Sequence, residues 1–320
     1  MNVLIVGATG TLGRQVARQA IDAGHTVTCL VRNPSKAAFL SEWGAHLKIG
    51  NLCKPETLPP ALEEIDAVID CATVRPNSSY SVKEVDWDGK IALINAARSA
   101  EVKQFIFFSI LRSKEFPNVP LMNFKFHIEQ YLQQAQMPYT IFKLCGFMQG
   151  LISQYAIPVL EEQPVWVSTP PTPIAYINSI DAARFAIHAL GRESAMQKVF
   201  PLAGPKSWKP REVIQLCEKL SNEKAKITTM PIGVLRVARR VTQFFQWTWN
   251  IADRLAFTEV LASGKPMAAK MDRVYAALDI DPQGVDTLES YLLEYFERML
   301  KKLREQNYGR DKEKKKLPTF

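Results

Sequence analysis

Residues 3–13, VLIVGATGTLG, restrict the chain to few folds. Val3, Leu4, Ile5 and Val6 form a short apolar run rich in β-branched side chains, the pattern of a strand buried on both faces in a parallel sheet. Gly7, Gly10 and Gly13 follow at three-residue spacing. The stretch RQVARQAIDAG then repeats Val16, Ala17, Ala20 and Ile21 at helical spacing and stops at Gly24. In such a strand–turn–helix the first glycine permits a tight turn and the second lets backbone approach a diphosphate. The third lets helix and strand pack closely. Free N–H groups and the positive end of the helix dipole then face the anion, so a dinucleotide is the expected ligand. Flanking strand and helix are what separate this motif from an ordinary glycine-rich turn.

The next apolar stretch, HTVTCLVRNP at 25–34, reads as a second strand. A site for NAD(H) usually ends this strand with an acid that binds the ribose 2′-hydroxyl. Here Arg32 stands there, with Lys36 nearby and no acid before Glu42. A guanidinium pairs bidentately with a 2′-phosphate, so NADP(H) is expected in preference to NAD(H).

Strand and helix signals continue to alternate, which predicts an α/β fold with a Rossmann-type doubly wound parallel sheet. Strands are expected near 46–50, 66–72, 104–110, 139–144 and 198–204, with helices over 87–100 and 123–135 and another beginning at Asp181. From about residue 145 onward, proline-punctuated runs such as PVWVSTPPTPIAY suggest loops and short elements forming a lobe over the sheet. The expected organisation is a dinucleotide-binding domain over 1–205, a smaller C-terminal lobe over 206–297 and a basic tail over 298–320. No internal repeat or flexible linker is visible.

The tail holds nine Lys/Arg against three Asp/Glu, a surplus of six out of the chain's net +8. The remainder is near neutral, which argues against a nucleic-acid-binding body. Such a tail reads either as a solvated end or as a weak electrostatic contact with an anionic membrane. Five scattered cysteines without CxxC or Cys/His spacing point to reduced thiols and no metal site. No uninterrupted apolar stretch is long enough to span a bilayer, and the first strand begins almost at Met1. No signal or transit peptide is therefore expected, and the chain should work in a bacterial cytosol or an organelle stroma.

With these residues placed, the chain resembles the NmrA-like branch of the atypical short-chain dehydrogenases/reductases. GATGTLG, LVRNPSK, the GNL after the third strand, DAVIDCAT, AARSAEVKQFIFFS and MPYTIFKLCGF carry the likeness across most of residues 1–205. The stretches GFMQGLISQYAIPVLEEQPVW, AYINSIDAARFAIHAL and GPKSWKPREVIQLCEKLS are similar to the cyanobacterial and plastid-encoded photosystem II assembly group of that family. The resemblance implies early assembly of the reaction-centre core and delivery of chlorophyll at the thylakoid surface. The partners it implies are photosystem II reaction-centre subunits, high-light-inducible chlorophyll-binding proteins and chlorophyll synthase. It also implies cofactor contacts from Gly7, Thr9, Gly10, Thr11, Leu12, Gly13, Arg32, Asn51, Leu52, Ala72, Thr73, Ser109 and Lys125. Asn51 stands where relatives often carry aspartate.

One departure bears on chemistry. Active short-chain reductases use Tyr-x-x-x-Lys, in which the lysine lowers the tyrosine pKa for proton transfer. Lys125 is preceded four residues earlier by Leu121, so the tyrosine is missing. Lys125 matches the lone lysine of isoflavone-reductase-like relatives. It is a candidate catalytic residue if desolvation lowers its pKa, and otherwise a ribose-binding or helix-face lysine. An NADPH-dependent reductase of a quinone or ring-containing small molecule is thus the alternative to an assembly factor. Asp66, Asp70, Glu84, Asp86 and Asp88 read as caps and solvated loop charges, and His127 as diverging from Lys125. Finally, residues 231–261 combine Arg236, Arg239 and Arg240 with Phe244, Phe245, Trp247 and Trp249. That long helical stretch is either lobe core or a face for membranes and partners.

Overall fold

The computed structural model describes residues 1–75, 78–231 and 256–314. In chain order its main elements are β1 (Asn2–Val6), α1 (Thr11–Asp22), β2 (Thr26–Val31), α2 (Ala38–Glu42), β3 (His46–Ile49), β4 (Ala67–Asp70), α3 (Gly89–Ser99), β5 (Gln104–Ile110), α4 (Pro120–Gln134) and β6 (Tyr139–Leu144). They continue as β7 (Pro164–Thr169), α5 (Ser179–Ala189), β8 (Lys198–Leu202), α6 (Pro210–Ser221), β9 (Lys226–Pro231), α7 (Asp272–Leu278) and α8 (Leu288–Lys314).

Seven strands form one parallel sheet in the order β3-β2-β1-β4-β5-β6-β8. Burial on both faces accounts for the unbroken apolar runs. Leu4, Val6, Val68, Phe105 and Phe107 pack with Leu93, Ile94 and Ala97 of α3 and Ile128 and Leu132 of α4. Val3, Ile5, Cys29, Ile69, Ile106 and Phe108 face the other way, toward α1, α5 and the lobe. That second core is continuous from Val3 to Phe296. Each fully buried large aliphatic contributes about 1.5–3 kcal/mol. The strand order reverses between β1 and β4, so their carboxyl ends open a crevice where ligands of such sheets bind.

Two stretches fold more regularly than expected. The prolines around 164–173 do not prevent β7, which pairs in parallel with β9 as a separate two-stranded sheet. Pro164 starts the strand, Val165 and Val167 point inward, and Trp166 between them is exposed; that alternation outweighs the proline signal. The basic end does not begin as loose chain, because helix α8 runs through to Lys314. Leu288, Leu292 and Phe296 seat its first turns on the core. Asp181 lies in the first turn of α5, behind the Asn178 cap whose side chain accepts from Ile180 N at 3.0 Å.

Of residues 231–261, those at 232–255, including the three arginines and four aromatics, lie outside the described residues. Residues 256–261 are helical, with Ala256 and Val260 buried. Thr172 fastens this turn through bonds to Val260 O at 3.1 Å and Leu261 O at 3.2 Å. No helix among the described residues is long and apolar enough to cross a membrane.

Candidate dinucleotide-binding site

The crevice is built first from backbone. Gly7 adopts φ +83°, and a Cβ there would stand 2.7 Å from Ala72 N and Cα. The glycine therefore lets the end of β1 meet the end of β4. A Cβ on Gly13 would lie 2.2 Å from Gly7 O, so the third glycine sets the helix against the turn. Gly10 N donates to Gly7 O at 2.9 Å. Gly10 also caps α1 without a side-chain bond, which leaves the first-turn amides for an anion. Thr9 and Gly10 are half-buried and Thr11 exposed, while Leu12 anchors the turn in the core.

Arg32 is exposed at the end of β2, its guanidinium 6.0 Å from the Tyr80 ring centre. Asn51 Nδ2 donates to Tyr80 Oη at 2.9 Å, and Asn51 Oδ1 accepts from Cys53 N at 3.1 Å. Arg32, Asn51 and Tyr80 thus form one polar rim beside the crevice. Leu52 turns away into the core, where it packs so closely on Gly89 that a Cβ there would be 2.8 Å away.

Beneath the rim lies a dry set of charges. Lys90 and Asp70, each 1% exposed, pair at 2.5 Å. Lys90 Nζ also donates to Ala72 O at 2.7 Å, and Asp70 Oδ1 accepts from Ala72 N at 3.0 Å. Asp86, equally buried, accepts through Oδ2 from Thr73 Oγ1 at 3.1 Å and Val74 N at 2.9 Å. Its Oδ1 stands 3.7 Å from Lys125 Nζ and has no hydrogen-bond donor, as is also true of Asp70 Oδ2. Lys125 Nζ donates to Phe108 O at 3.0 Å and lies over the Phe107 ring at 4.7 Å. Burial lowers the Lys125 pKa, and the Asp86 carboxylate opposes that shift.

Asp70 and Asp86 are therefore not the solvated charges or simple caps expected from sequence. They are counterions held out of water by β4 and by the helical turn Glu84–Asp88. Asp66, Glu84 and Asp88 do behave as surface charges, bonded to Asn2 N, Ser81 N and Lys83 respectively. Ser109, at the end of β5, donates to Glu129, one turn beyond Lys125 on α4. Glu129 also accepts from Ser113 Oγ at 2.9 Å and pairs with Lys143 at 2.7 Å.

The sequence profile of the NmrA-like family matches residues 1–288. The chain belongs to the NmrA-like family. The photosystem II assembly factor Ycf39 of Synechocystis is 56% identical over 308 residues, covering 96% of this chain and 94% of the relative. The chloroplastic protein high chlorophyll fluorescence phenotype 244 of Arabidopsis thaliana is 48% identical, covering 95% of this chain and 77% of the relative. Among solved structures, the Escherichia coli NADPH-dependent quinone oxidoreductase QOR2 complexed with NADPH has a TM-score of 0.73 at 20% identity, covering 92% of this chain and 99% of that one. At that identity it shares the fold.

Within this NmrA-like chain, the structure brings together Gly7, Thr9, Gly10, Thr11, Gly13, Ala72 and Thr73 at the crevice. Arg32 and Asn51 stand at one end of it, and Lys125 lies below. Ser109 is spent on Glu129, and Leu52 contributes only backbone to the rim. Leu121, in the tyrosine's place, is half-buried. His127 points out against Trp87 at 6.1 Å, away from Lys125. Sequence reasoning missed Lys90, Tyr80, Glu129 and Lys143. Lys90 had a visible signal: with Leu93, Ile94 and Ala97 it completes an i, i+3, i+4, i+7 stripe that is otherwise apolar.

The five cysteines are free thiols. Burial pushes Cys29, Cys145 and Cys217 up to about 12 and raises Cys71 as well, so these four are poor nucleophiles.

Proposed function

We propose that the chain is a nicotinamide-dinucleotide-binding assembly factor for the photosystem II reaction-centre core. The observation that carries the assembly role is the near-full-length identity with an assembly factor, which extends through the lobe as well as the dinucleotide-binding half. The crevice supports the dinucleotide: Gly7, Gly10 and Gly13 bring uncapped amides to a diphosphate. Arg32 favours a 2′-phosphate, so NADP(H) is the preferred form and NAD(H) the weaker one. With Leu121 in place of a tyrosine, the lysine has lost its usual proton-donating partner, which favours a bound over a consumed cofactor.

On this reading the partners are reaction-centre subunits, high-light-inducible chlorophyll-binding proteins and chlorophyll synthase, and the role includes chlorophyll delivery. The chain works peripherally at the thylakoid, in a cyanobacterial cytoplasm or a plastid stroma. Residues 231–261 and the basic tail are its contact surfaces. For dinucleotide occupancy to regulate this, bound and free forms must differ in partner affinity.

Affinity purification from solubilised membranes, beside an NADPH-oxidation assay with quinones, tests the proposal. Co-purified reaction-centre subunits and pigment-binding proteins without turnover support it. Turnover abolished by Lys125→Ala, with no such partners, establishes the reductase alternative instead. Within the assembly reading, Phe245→Ser with Trp249→Ser should release the protein from membranes while its circular dichroism stays unchanged. Retained membrane binding removes the docking role of that stretch.

A further inference from the structure

A diphosphate brings negative charge to a cradle whose glycines offer amides and no compensating cation. Among the described residues, two guanidiniums touch this loop. Arg14 spends its donors on backbone, with Nε on Gly10 O at 3.2 Å and Nη2 on Thr9 O at 3.3 Å. Its guanidinium also lies 6.0 Å from the Phe39 ring centre, so it braces the loop from outside. Arg75 differs. It is exposed, and its Nη2 donates to a side chain, Thr9 Oγ1, at 2.7 Å. That hydroxyl sits between the first two glycines, at the mouth of the cradle.

The backbone leading to Arg75 is held by buried partners, whereas its side chain is exposed and rests on Thr9. Ala72 N and O are fastened to Asp70 and Lys90, and Thr73 and Val74 to Asp86, all three of these partners buried. The backbone leading to Arg75 is therefore fixed across the crevice from Thr9. A guanidinium on such a root loses little freedom when it changes acceptor. The exchange is also favourable. A hydroxyl offers the guanidinium one neutral acceptor, whereas a diphosphate offers several negatively charged oxygens that it can grip bidentately.

We propose that Arg75 is the cationic ligand of the dinucleotide's diphosphate, with Thr9 Oγ1 as its resting partner. The buried Asp70, Lys90 and Asp86 act through it as positioning residues. This rests on the dinucleotide reading above and assigns that site a charge its glycine motif lacks.

Calorimetric titration of the full chain separates the two. The probes are NADPH and adenosine 2′-monophosphate, which carries the adenine, ribose and 2′-phosphate but no diphosphate. Arg75→Gln should weaken NADPH about tenfold and leave adenosine 2′-monophosphate within twofold. Arg75→Lys should recover part of the loss, and the remaining NADPH affinity of Arg75→Gln should depend less on salt. NADPH binding by Arg75→Gln within twofold of the parent overturns the proposal. So does an equal loss for both ligands, which would mean a general disturbance of the loop. A parent chain that binds neither NADPH nor adenosine 2′-monophosphate sinks the dinucleotide reading itself, and the proposal with it.

Discussion

The glycine cradle and the charge set below it lie against the same loop, yet they are built on opposite principles. The cradle is open to water, made almost wholly of backbone, and assembled from residues adjacent in sequence. The charge set is dry, made of side chains, and gathered from β4, α3, α4 and the turn at Glu84–Asp88. The cradle offers unpaired donors, whereas the charge set holds carboxylate oxygens without donors. A ligand site and its support can thus be told apart: the first leaves groups unsatisfied toward solvent, and the second satisfies most of its groups against itself. Ala72 joins them, touching Gly7 on one side and bonded to Asp70 and Lys90 on the other.

The comparison breaks most visibly at Lys90. Lys90→Met leaves Asp70 charged in the core without its counterion and should cost about 3–5 kcal/mol in urea unfolding. Adding Asp70→Leu should restore much of that stability, because an apolar pair of similar volume avoids the desolvation penalty. A loss below 1 kcal/mol in the single variant would mean that water reaches the pair.

The cradle should respond in the other currency. Gly13→Ala puts a methyl against Gly7 O, and NADPH affinity should fall at least about a hundredfold by calorimetry, roughly 2.7 kcal/mol. If binding survives, the helix start is not where the diphosphate sits.

Asp181 offers an intermediate case inside the lobe. It is buried but paired, with Arg184 Nη2 at 3.0 Å and Asp286 N at 2.9 Å. Burial is the largest influence and pushes its carboxyl up to about 6. In the window between the ordinary value of 3.8 and about 6 the folded chain holds more protons than the unfolded one. Stability from this group is therefore fullest below that window and falls as pH rises through it, by about 3 kcal/mol. Asp181→Asn should flatten the fall when thermal melts are compared at pH 4 and pH 7. An unchanged slope would show that the two partners outweigh burial.

Arg32→Asp sharpens the comparison at the rim. It should weaken NADPH about tenfold more than NADH, near 1.4 kcal/mol of discrimination. Equal losses would remove the 2′-phosphate from Arg32.

The strands of the main sheet were largely legible because burial on both faces leaves continuous apolar runs, as in β5 and β6. β7 was not, because two inward valines around an outward tryptophan are too short a pattern to compete with nearby prolines. The cradle was legible for a different reason: glycine spacing acts over a few residues, and backbone conformation is local. Asp70 and Asp86 misled because a carboxylate after a strand or before a helix looks the same whether it faces water or a lysine 20 positions away.

The sequence by itself therefore determined the parallel sheet, the glycine cradle and the cationic end of β2, since each follows from the order of neighbouring residues. Only the tertiary structure decided that Lys90 pairs with Asp70, that Lys125 faces Asp86 and that Arg75 reaches Thr9. Those contacts depend on which elements the fold lays side by side, and a charge acquires its partner, and its solvation, only when that packing is complete.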